Sequence, residues 1–326
     1  MEFKLNIGAP DTEDRVLRMD AGVLYDVIIV GGGPAALTAA VYCMRKGVST
    51  GLITMDFGGQ LSDTSTVENY MGYSYITGVD LANKFKEQVR QFEIAIADGK
   101  KAVAIEDGTE KVVRLDDGSA FRARSLIITT GKSSRKLGVP GEIELTGRGV
   151  AYCAICDAPL FAGKRVVVVG GGNSGIESAI DLAKIAEHVT VVQFLPELTA
   201  DRVLVDAFEA FTNTTTLYEH EVMEIVGTQT VESVKIRNRV TGDVSTHEVQ
   251  GIFIEIGLDP NTASVKGLLK LNEFGEIEVD CACRTNRPGI FAAGDVTSVP
   301  FKQIIIAAGE GAKAALSACE YILRES

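Results

Sequence analysis

Tyr25-Asp26-Val27-Ile28-Ile29-Val30-Gly31-Gly32-Gly33-Pro34-Ala35-Ala36 is the stretch that decides the fold. Apart from Asp26 near its start, the run from Tyr25 to Val30 is apolar, as a parallel strand buried on both faces is, and it stops at three glycines. Leu37 to Arg45 has helical composition. Strand, glycine turn and helix in that order are the context in which a dinucleotide fingerprint carries meaning. The pattern here is Gly31-x-Gly33-x-x-Ala36. The first glycine permits the sharp turn. The second lets the backbone approach a pyrophosphate, whose charge suits a helix N-terminus, and the small Ala36 allows close helix–strand packing.

The pattern occurs twice. Arg165 to Val169 reads as a strand, Gly170-x-Gly172-x-x-Gly175 as the turn, with Asn173 and Ser174 inside it, and Ile176 to Ala186 as the helix. Two such turns imply two nucleotide sites. The strand after a turn should end in an acid that grips a ribose hydroxyl. After the first turn Asp56 arrives late; after the second, Gln193 stands in the acid's place. Phe194-Leu195-Pro196-Glu197-Leu198-Thr199 follows, with no Arg or Lys before Arg202. A 2′-phosphate needs cationic partners, so this local sequence disfavours NADPH. The missing acid leaves NADH without a positive sign of its own.

Between the turns lies Tyr152-Cys153-Ala154-Ile155-Cys156-Asp157. A C-x-x-C thiolate is a nucleophile for disulfide exchange, and an adjacent carboxyl can move the proton that exchange requires. Read as half a zinc site, the pair would need a second ligand pair. Elsewhere, residues 56–73 read as a long loop with Gly58-Gly59-Gln60 and Glu68-Asn69. Residues 80–92 read as a helix, and 105–121 as a small antiparallel insert. A buried strand closes at Thr130-Gly131, another delivers Gly294-Asp295, and Gln303 to Leu316 reads as a helix. Breaker-rich Gly138–Gly141 and Gly257–Asn261 mark two joints. Residues 1–22 read as an N-terminal arm. Cys281 and Cys283 alternate as on a strand, and Cys43 and Cys319 read as packing residues on helices. The three histidines are scattered and suggest no histidine base.

The 326 residues suffice for two domains, and 46% hydrophobic with 23% charged residues is a globular mix. No apolar run reaches the roughly 18 residues of a membrane helix, and the N-terminus lacks a secretory core, which reads as a cytoplasmic protein without a membrane partner. A net charge of −12 argues against nucleic acid as a partner. Six cysteines in a long chain do not suggest a disulfide framework.

Together these motifs resemble the low-molecular-weight thioredoxin reductases of the pyridine nucleotide–disulfide oxidoreductase class, over roughly residues 24–324. Phe57–Gln60, Asn173–Glu177 and Lys302–Ile306 are most similar to the flavoprotein portion of the alkyl hydroperoxide reductase reductase subunit. The resemblance implies an α/β fold of two Rossmann-like three-layer domains. FAD would occupy a discontinuous domain of residues 1–137 and 257–326, and the NAD(P)-binding-like domain, 138–256, would be inserted and carry the cysteines. For FAD it implies Gly31, Gly33, Pro34, Ala35, Gly59, Gln60, Asn69, Thr130, Gly131, Gly294, Asp295, Lys302, Gln303 and Ile304. For NADH it implies Gly170, Gly172, Asn173, Ser174, Gly175 and Gln193. Cys156 would contact the flavin, Cys153 would attack a partner's disulfide, and Asp157 would be the acid–base group. No metal is implied.

The resemblance further implies a homodimer whose nucleotide domain rotates. The reductase subunit of alkyl hydroperoxide reductase carries an additional thioredoxin-like domain with its own C-x-x-C. About 22 cysteine-free residues stand there in this chain, so an external thioredoxin-like or glutaredoxin-like acceptor is expected. Ala158 replaces a usual glycine, and Phe194, Leu195 and Thr199 replace the arginines that read NADPH. One branch of the class draws electrons from ferredoxin, which stands as an alternative donor with a vestigial nucleotide site. A flavin redox sensor without turnover is the other alternative.

Overall fold

The computed structural model describes residues 16–64, 67, 69–152 and 154–325; for Asp63, Ile155, Cys156 and Glu325 it describes the backbone alone. The chain forms two compact units. One draws on the chain up to Asp63, on Val67–Lys132 and on the chain from Pro260; the other takes Ser133–Asp259 with the short segment Thr64–Thr66.

The first unit begins with β1 (Leu17–Arg18), β2 (Leu24–Val30), α1 (Pro34–Arg45), β3 (Thr50–Thr54), α2 (Gly78–Arg90), β4 (Ala95–Asp98), β5 (Ala102–Glu106), β6 (Lys111–Leu115) and β7 (Ala120–Ile128). Its sheet runs β1-β4-β3-β2-β7-β6-β5. The first five strands in that order are parallel, and β5, β6 and β7 pair antiparallel. Val27 and Ile29 pack on the α1 side, while Ile28 and Val30 pack on the β5–β7 side with Val113 and Phe121. Burial on both faces is why this strand reads as one apolar run; each such side chain contributes about 1.5–3 kcal/mol.

The described part of the N-terminal arm is tied to the sheet: Leu17 and Arg18 pair with Ala95 and Ile96, and Met19 is buried. A two-residue strand is too short to show a period. Met1–Arg15 lie outside the described residues. Helix α2 starts two residues earlier than read, because the Thr77 hydroxyl accepts from the Asp80 N–H and caps it.

The second unit follows β8 (Lys132–Ser134) and contains β9 (Val150–Ala151), α3 (Ala154–Asp157), β10 (Arg165–Val169), α4 (Asn173–Ala183), β11 (His188–Gln193), α5 (Arg202–Glu209), β12 (Thr214–Tyr218), β13 (His220–Gly227), β14 (Val231–Asn238), β15 (Val244–Glu248) and β16 (Gly251–Ile254). A parallel sheet runs β12-β11-β10-β16-β9. Val166 and Val168 face Ile176, Ala179 and Leu182 of α4; Val167 and Val169 face Val222, Val234 and Ile236 of the antiparallel β13–β14–β15 layer. Helix, parallel sheet and antiparallel sheet make three layers. The connecting segment β17 (Leu258–Pro260) pairs with β8.

The chain then supplies β18 (Ile290–Ala292), parallel to β7, and α6 (Ile304–Glu325), packed on α1. Helix α6 runs past the expected Leu316, since no glycine or proline follows Gly311 within it. Cys281 and Cys283 do not share a strand face. Asp280 accepts the Ala282 and Arg284 N–H groups, each at 2.9 Å, and turns the backbone. Cys281 is left exposed, and Cys283 is buried at φ 62°. Cys43 and Cys319 are buried in the core between α1 and α6. No described helix is long and apolar enough to cross a membrane.

Candidate functional site

In the first unit the turn after β2 forms an open cradle. Gly31 has φ 137°, and a side chain there would meet the Thr129 carbonyl at 2.2 Å. Gly33 precedes α1 in an extended conformation, no side chain caps the helix, and Pro34 sits in the first turn without an acid beside it. The first turn of a helix presents unpaired N–H donors at the positive end of its dipole. A Cβ added to Gly33 would find only the Gly58 carbonyl within 4 Å, at 3.8 Å, so space stands open before these donors.

The other first-unit candidates gather around this turn. Gly58 N–H donates to Gly32 O at 2.8 Å, which brings Gly59 and Gln60 to its edge. Asp56 accepts the Gly59 N–H at 2.9 Å. Gln60 Nε2 donates to Lys132 O at 3.0 Å, beside Gly131. Thr130 and Asn261 exchange two hydrogen bonds, at 2.7 and 2.9 Å. Asn69 Nδ2 donates to Gln303 Oε1 at 3.0 Å, one residue before Ile304 opens α6.

Strand β18 delivers Gly294 against Ala35, with its N–H donated to Glu310 Oε2 at 3.0 Å. The Asp295 carboxyl that follows accepts no hydrogen bond from the described residues. Burial raises its proton affinity, against the pull of Lys302 and Lys132. Open space, uncapped donors and an orphaned half-buried carboxyl fit a dinucleotide with a hydroxylated chain. Lys302 itself is engaged: its ammonium donates to the carbonyls of Thr297 and Val299 and pairs with Glu276 at 3.2 Å.

The second unit repeats the turn. Gly170 has φ 121°, and a side chain there would meet the Glu255 carbonyl at 2.2 Å. Gly172 precedes α4, again without a side-chain cap or an acid in the first turn. The neighbouring side chains are engaged with the protein itself. Asn173 is locked to Asp201, donating at 2.9 Å and accepting its N–H at 2.7 Å. Gln193 is closed on its own loop: Nε2 donates to Glu197 O at 2.8 Å, and Oε1 accepts the Phe194 N–H at 3.1 Å. The Thr199 N–H reaches back to Gly171 O at 2.8 Å.

The local sequence shows no cation here, but space supplies one. Arg239, from the β14–β15 turn, lies 3.4 Å over the Phe194 ring and donates to Phe194 O at 2.9 Å. Forty-five residues separate the two, and no local pattern signals the contact.

Cys153 lies outside the described residues, as does the side chain of Cys156. The described part of the motif is the one-turn helix α3, with half-buried Asp157 at its end. Two carboxyls that sequence reasoning missed support it. Glu255, at the end of β16, accepts from Ser178 Oγ at 3.0 Å and also from Ser174 and the Ala154 N–H. Burial pushes the Glu255 carboxyl up, opposed by these hydrogen bonds and reinforced by Glu177. Its signal was a charge interrupting the apolar run Ile252–Ile256. Glu142, 1% exposed, accepts the N–H groups of Leu137 and Gly138 at 3.0 and 2.7 Å and the Tyr152 hydroxyl at 2.8 Å. Burial, with that hydrogen bond, pushes Tyr152 up to about 12.

A family model described as pyridine nucleotide-disulphide oxidoreductase matches residues 25–311. The chain is 46% identical over 306 residues to an alkyl hydroperoxide reductase subunit of Escherichia coli, covering 92% of this chain and 58% of that protein. It is 44% identical over 300 residues to a Bacillus subtilis protein named NADH dehydrogenase, covering 92% of this chain and 59% of the other. The chain thus spans about three fifths of the length of these curated relatives. The solved structure of Lactococcus lactis thioredoxin reductase matches with a TM-score of 0.79 and 38% identity, covering 92% of this chain and 99% of that one.

Proposed function

The chain belongs to the pyridine nucleotide-disulphide oxidoreductase family, and from that premise we propose that it is a flavin-dependent disulfide reductase. Two electrons would pass from NADH, by way of FAD in the first unit, to the Cys153–Cys156 pair, and on to thioredoxin or a thioredoxin-like or glutaredoxin-like protein. The family is one of flavoprotein oxidoreductases that bind FAD and NAD(P). Bound FAD supplies the chemistry that takes a hydride and hands on electrons in pairs. The observation that carries the reading is the repeated turn: one open, uncapped helix start in each unit, with the C-x-x-C in the second.

In this reading the α1 N–H groups and Gly33 hold the FAD pyrophosphate, and Asp295 accepts from its hydroxylated chain. Gln303 and Asn69, already bonded to each other, line the ring's place. The start of α4, with Gly172 and Ser174, holds the second nucleotide. Cys153 attacks the partner's disulfide, Cys156 exchanges electrons with the flavin, and Asp157 carries the proton. The FAD domain is 1–137 with 257–326 and the nucleotide domain 138–256, in a homodimer.

NADH as donor is supported by the uncharged Gln193–Leu195 segment and by similarity to proteins named NADH dehydrogenase. Arg239 supports a second reading, NADPH, since its guanidinium stands at the end of β11. An anaerobic flavin-bleaching titration with NADH, NADPH and reduced ferredoxin in parallel tests both. Fast bleaching by NADH alone is expected. Preference for NADPH would overturn the donor assignment, and bleaching only by ferredoxin would make the second turn a relic.

A further inference from the structure

A partly buried cluster of charged groups borders the first-unit cradle, and the proposed reaction leaves most of it unexplained. Glu276 is 9% exposed. Its Oε1 accepts from Lys132 Nζ at 2.8 Å and pairs with Lys302 Nζ at 3.2 Å, and its Oε2 accepts from Asn272 Nδ2 at 2.7 Å. The Glu276 backbone N–H in turn donates to Asn272 Oδ1 at 2.9 Å, which orients the amide that donates to the carboxylate. Burial works to raise the Glu276 proton affinity, and Lys132, Asn272 and Lys302 outweigh it, so the group is charged. The Lys132 side chain is 14% exposed. Its carbonyl accepts from Gln60, at the edge of the cradle.

The same two lysines are the charged groups that act on Asp295. Glu310, which accepts the Gly294 N–H, feels both Lys302 and Asp295, so three carboxyls and two ammonium groups stand together beside the cradle. Removing such charges from water is costly, and packed apolar residues would hold the fold as well. The cluster's position, not its contribution to stability, calls for an account.

Resting on the flavin reading above, we propose that Glu276 is a positioning residue that fixes the ammonium groups of Lys132 and Lys302 beside the flavin, and that this restrained pair of cations sets the flavin's reduction potential. Reduction by two electrons with uptake of one proton leaves one more negative charge on the ring system. Charges held close to it in a poorly solvated site shift that equilibrium. A nearby cation favours the reduced form, and a nearby carboxylate opposes it. Lys302 has all three donors engaged and Lys132 is anchored by Glu276, so neither charge swings away when the ring's charge changes.

The test is the flavin midpoint potential of purified yellow holoenzyme, equilibrated anaerobically against reference dyes, in Glu276→Gln and Lys132→Met. Glu276→Gln keeps an oxygen acceptor for the two lysines and removes only the opposing charge, so the potential should move up, whereas Lys132→Met removes a cation and should move it down. Lys132→Arg should restore the wild-type value. Should Glu276→Gln fail to fold, the Lys132→Met and Lys132→Arg pair decides. A merely structural cluster would shift both variants alike or neither, and either result overturns the proposal. A colourless wild-type protein would overturn the flavin reading, and this proposal with it. A yellow protein with unmoved potentials overturns this proposal alone.

Discussion

The two glycine turns have nearly the same backbone and quite different surroundings. Gly33 and Gly172 precede their helices at φ −81° and −84°, ψ −174° and −176°. Beneath Gly31 lies the carbonyl of Thr129, and beneath Gly170 that of Glu255, each 2.2 Å from an added Cβ. Thr129 and Glu255 are equivalent: each donates its N–H, at 2.8 Å, to the last residue of the strand before the turn. Thr129 closes its hydroxyl on Val30 O and carries no charge, whereas Glu255 puts a half-buried carboxyl under the C-x-x-C helix. Above the middle glycine the contrast reverses. Gly32 is walled by the Asp56 carbonyl and the Thr54 hydroxyl, 1.8 and 2.0 Å from an added Cβ, but Gly171 by the longer side chains of Gln193 and Leu198. In the reading proposed above a shared backbone would hold a pyrophosphate in either unit, and what surrounds it would decide whether the site also handles protons and selects its ligand.

The third position of the pattern offers the harshest test. Ala36 fits, fully buried, but a Cβ on Gly175 would stand 2.1 Å from Gly170 O. Gly175→Ala should destabilise the second unit by roughly 1–3 kcal/mol through overpacking. It should abolish flavin bleaching by NADH while leaving the protein yellow. Ala36→Gly should cost only about 1 kcal/mol, the helix penalty of glycine, and keep both functions. Absorbance spectra and a bleaching assay check this, and loss of flavin from Gly175→Ala would break the assignment of one ligand to each turn.

Glu255 gives the next largest effect. Its carboxyl is pushed above its ordinary 4.5, so the folded state holds the proton to higher pH than the unfolded chain does. Below the unfolded value both states are protonated and nothing is lost. As pH rises between the two values stability falls, and above the folded value the loss is constant. A tenfold change in proton affinity corresponds to about 1.4 kcal/mol. Glu255→Gln should therefore match the wild type in melting temperature near pH 4 and exceed it near pH 8. The equivalent Thr129→Val should show a pH-independent difference. A flat difference for Glu255→Gln would mean that the carboxylate is charged there without penalty.

Legibility followed the range of the interactions. Both strand–turn–helix units could be read because their signals are local: an apolar run buried on both faces, then a turn that only small residues fit. Asp295 was readable because it ends such a run. Glu255 and Glu142 were not, because their meaning lies in donors brought from α3, α4 and the 137–138 segment. The Asp280 turn hid in the same way. Cys281-x-Cys283 looks like strand alternation until a carboxylate accepting two N–H groups redirects the chain. Arg239 is the clearest case, since the claim that residues 193–199 lack a cation holds along the chain and fails in space.

That failure frames the smallest and most selective prediction. Gln193 fills the wall over Gly171 with an amide whose donor and acceptor are both engaged within residues 193–197. A glutamate there loses the donor to Glu197 O, and its charge is repelled by that carbonyl, so the side chain turns outward, where a ribose 2′-hydroxyl would meet it. A hydrogen bond to a charged group contributes about 1.5–3 kcal/mol, less about 1 kcal/mol for the loop bond given up. Gln193→Glu should therefore lower the KM for NADH by roughly fivefold, a net change near 1 kcal/mol. It should also repel the phosphate of NADPH. Arg239→Ala separates the two readings of the donor. If Arg239 only braces Phe194, both donors weaken together; if it reads a phosphate, NADPH alone does. Steady-state KM values for the two donors in these variants decide whether the second turn selects through the residue at the end of β11 or through the cation that folding brings to it.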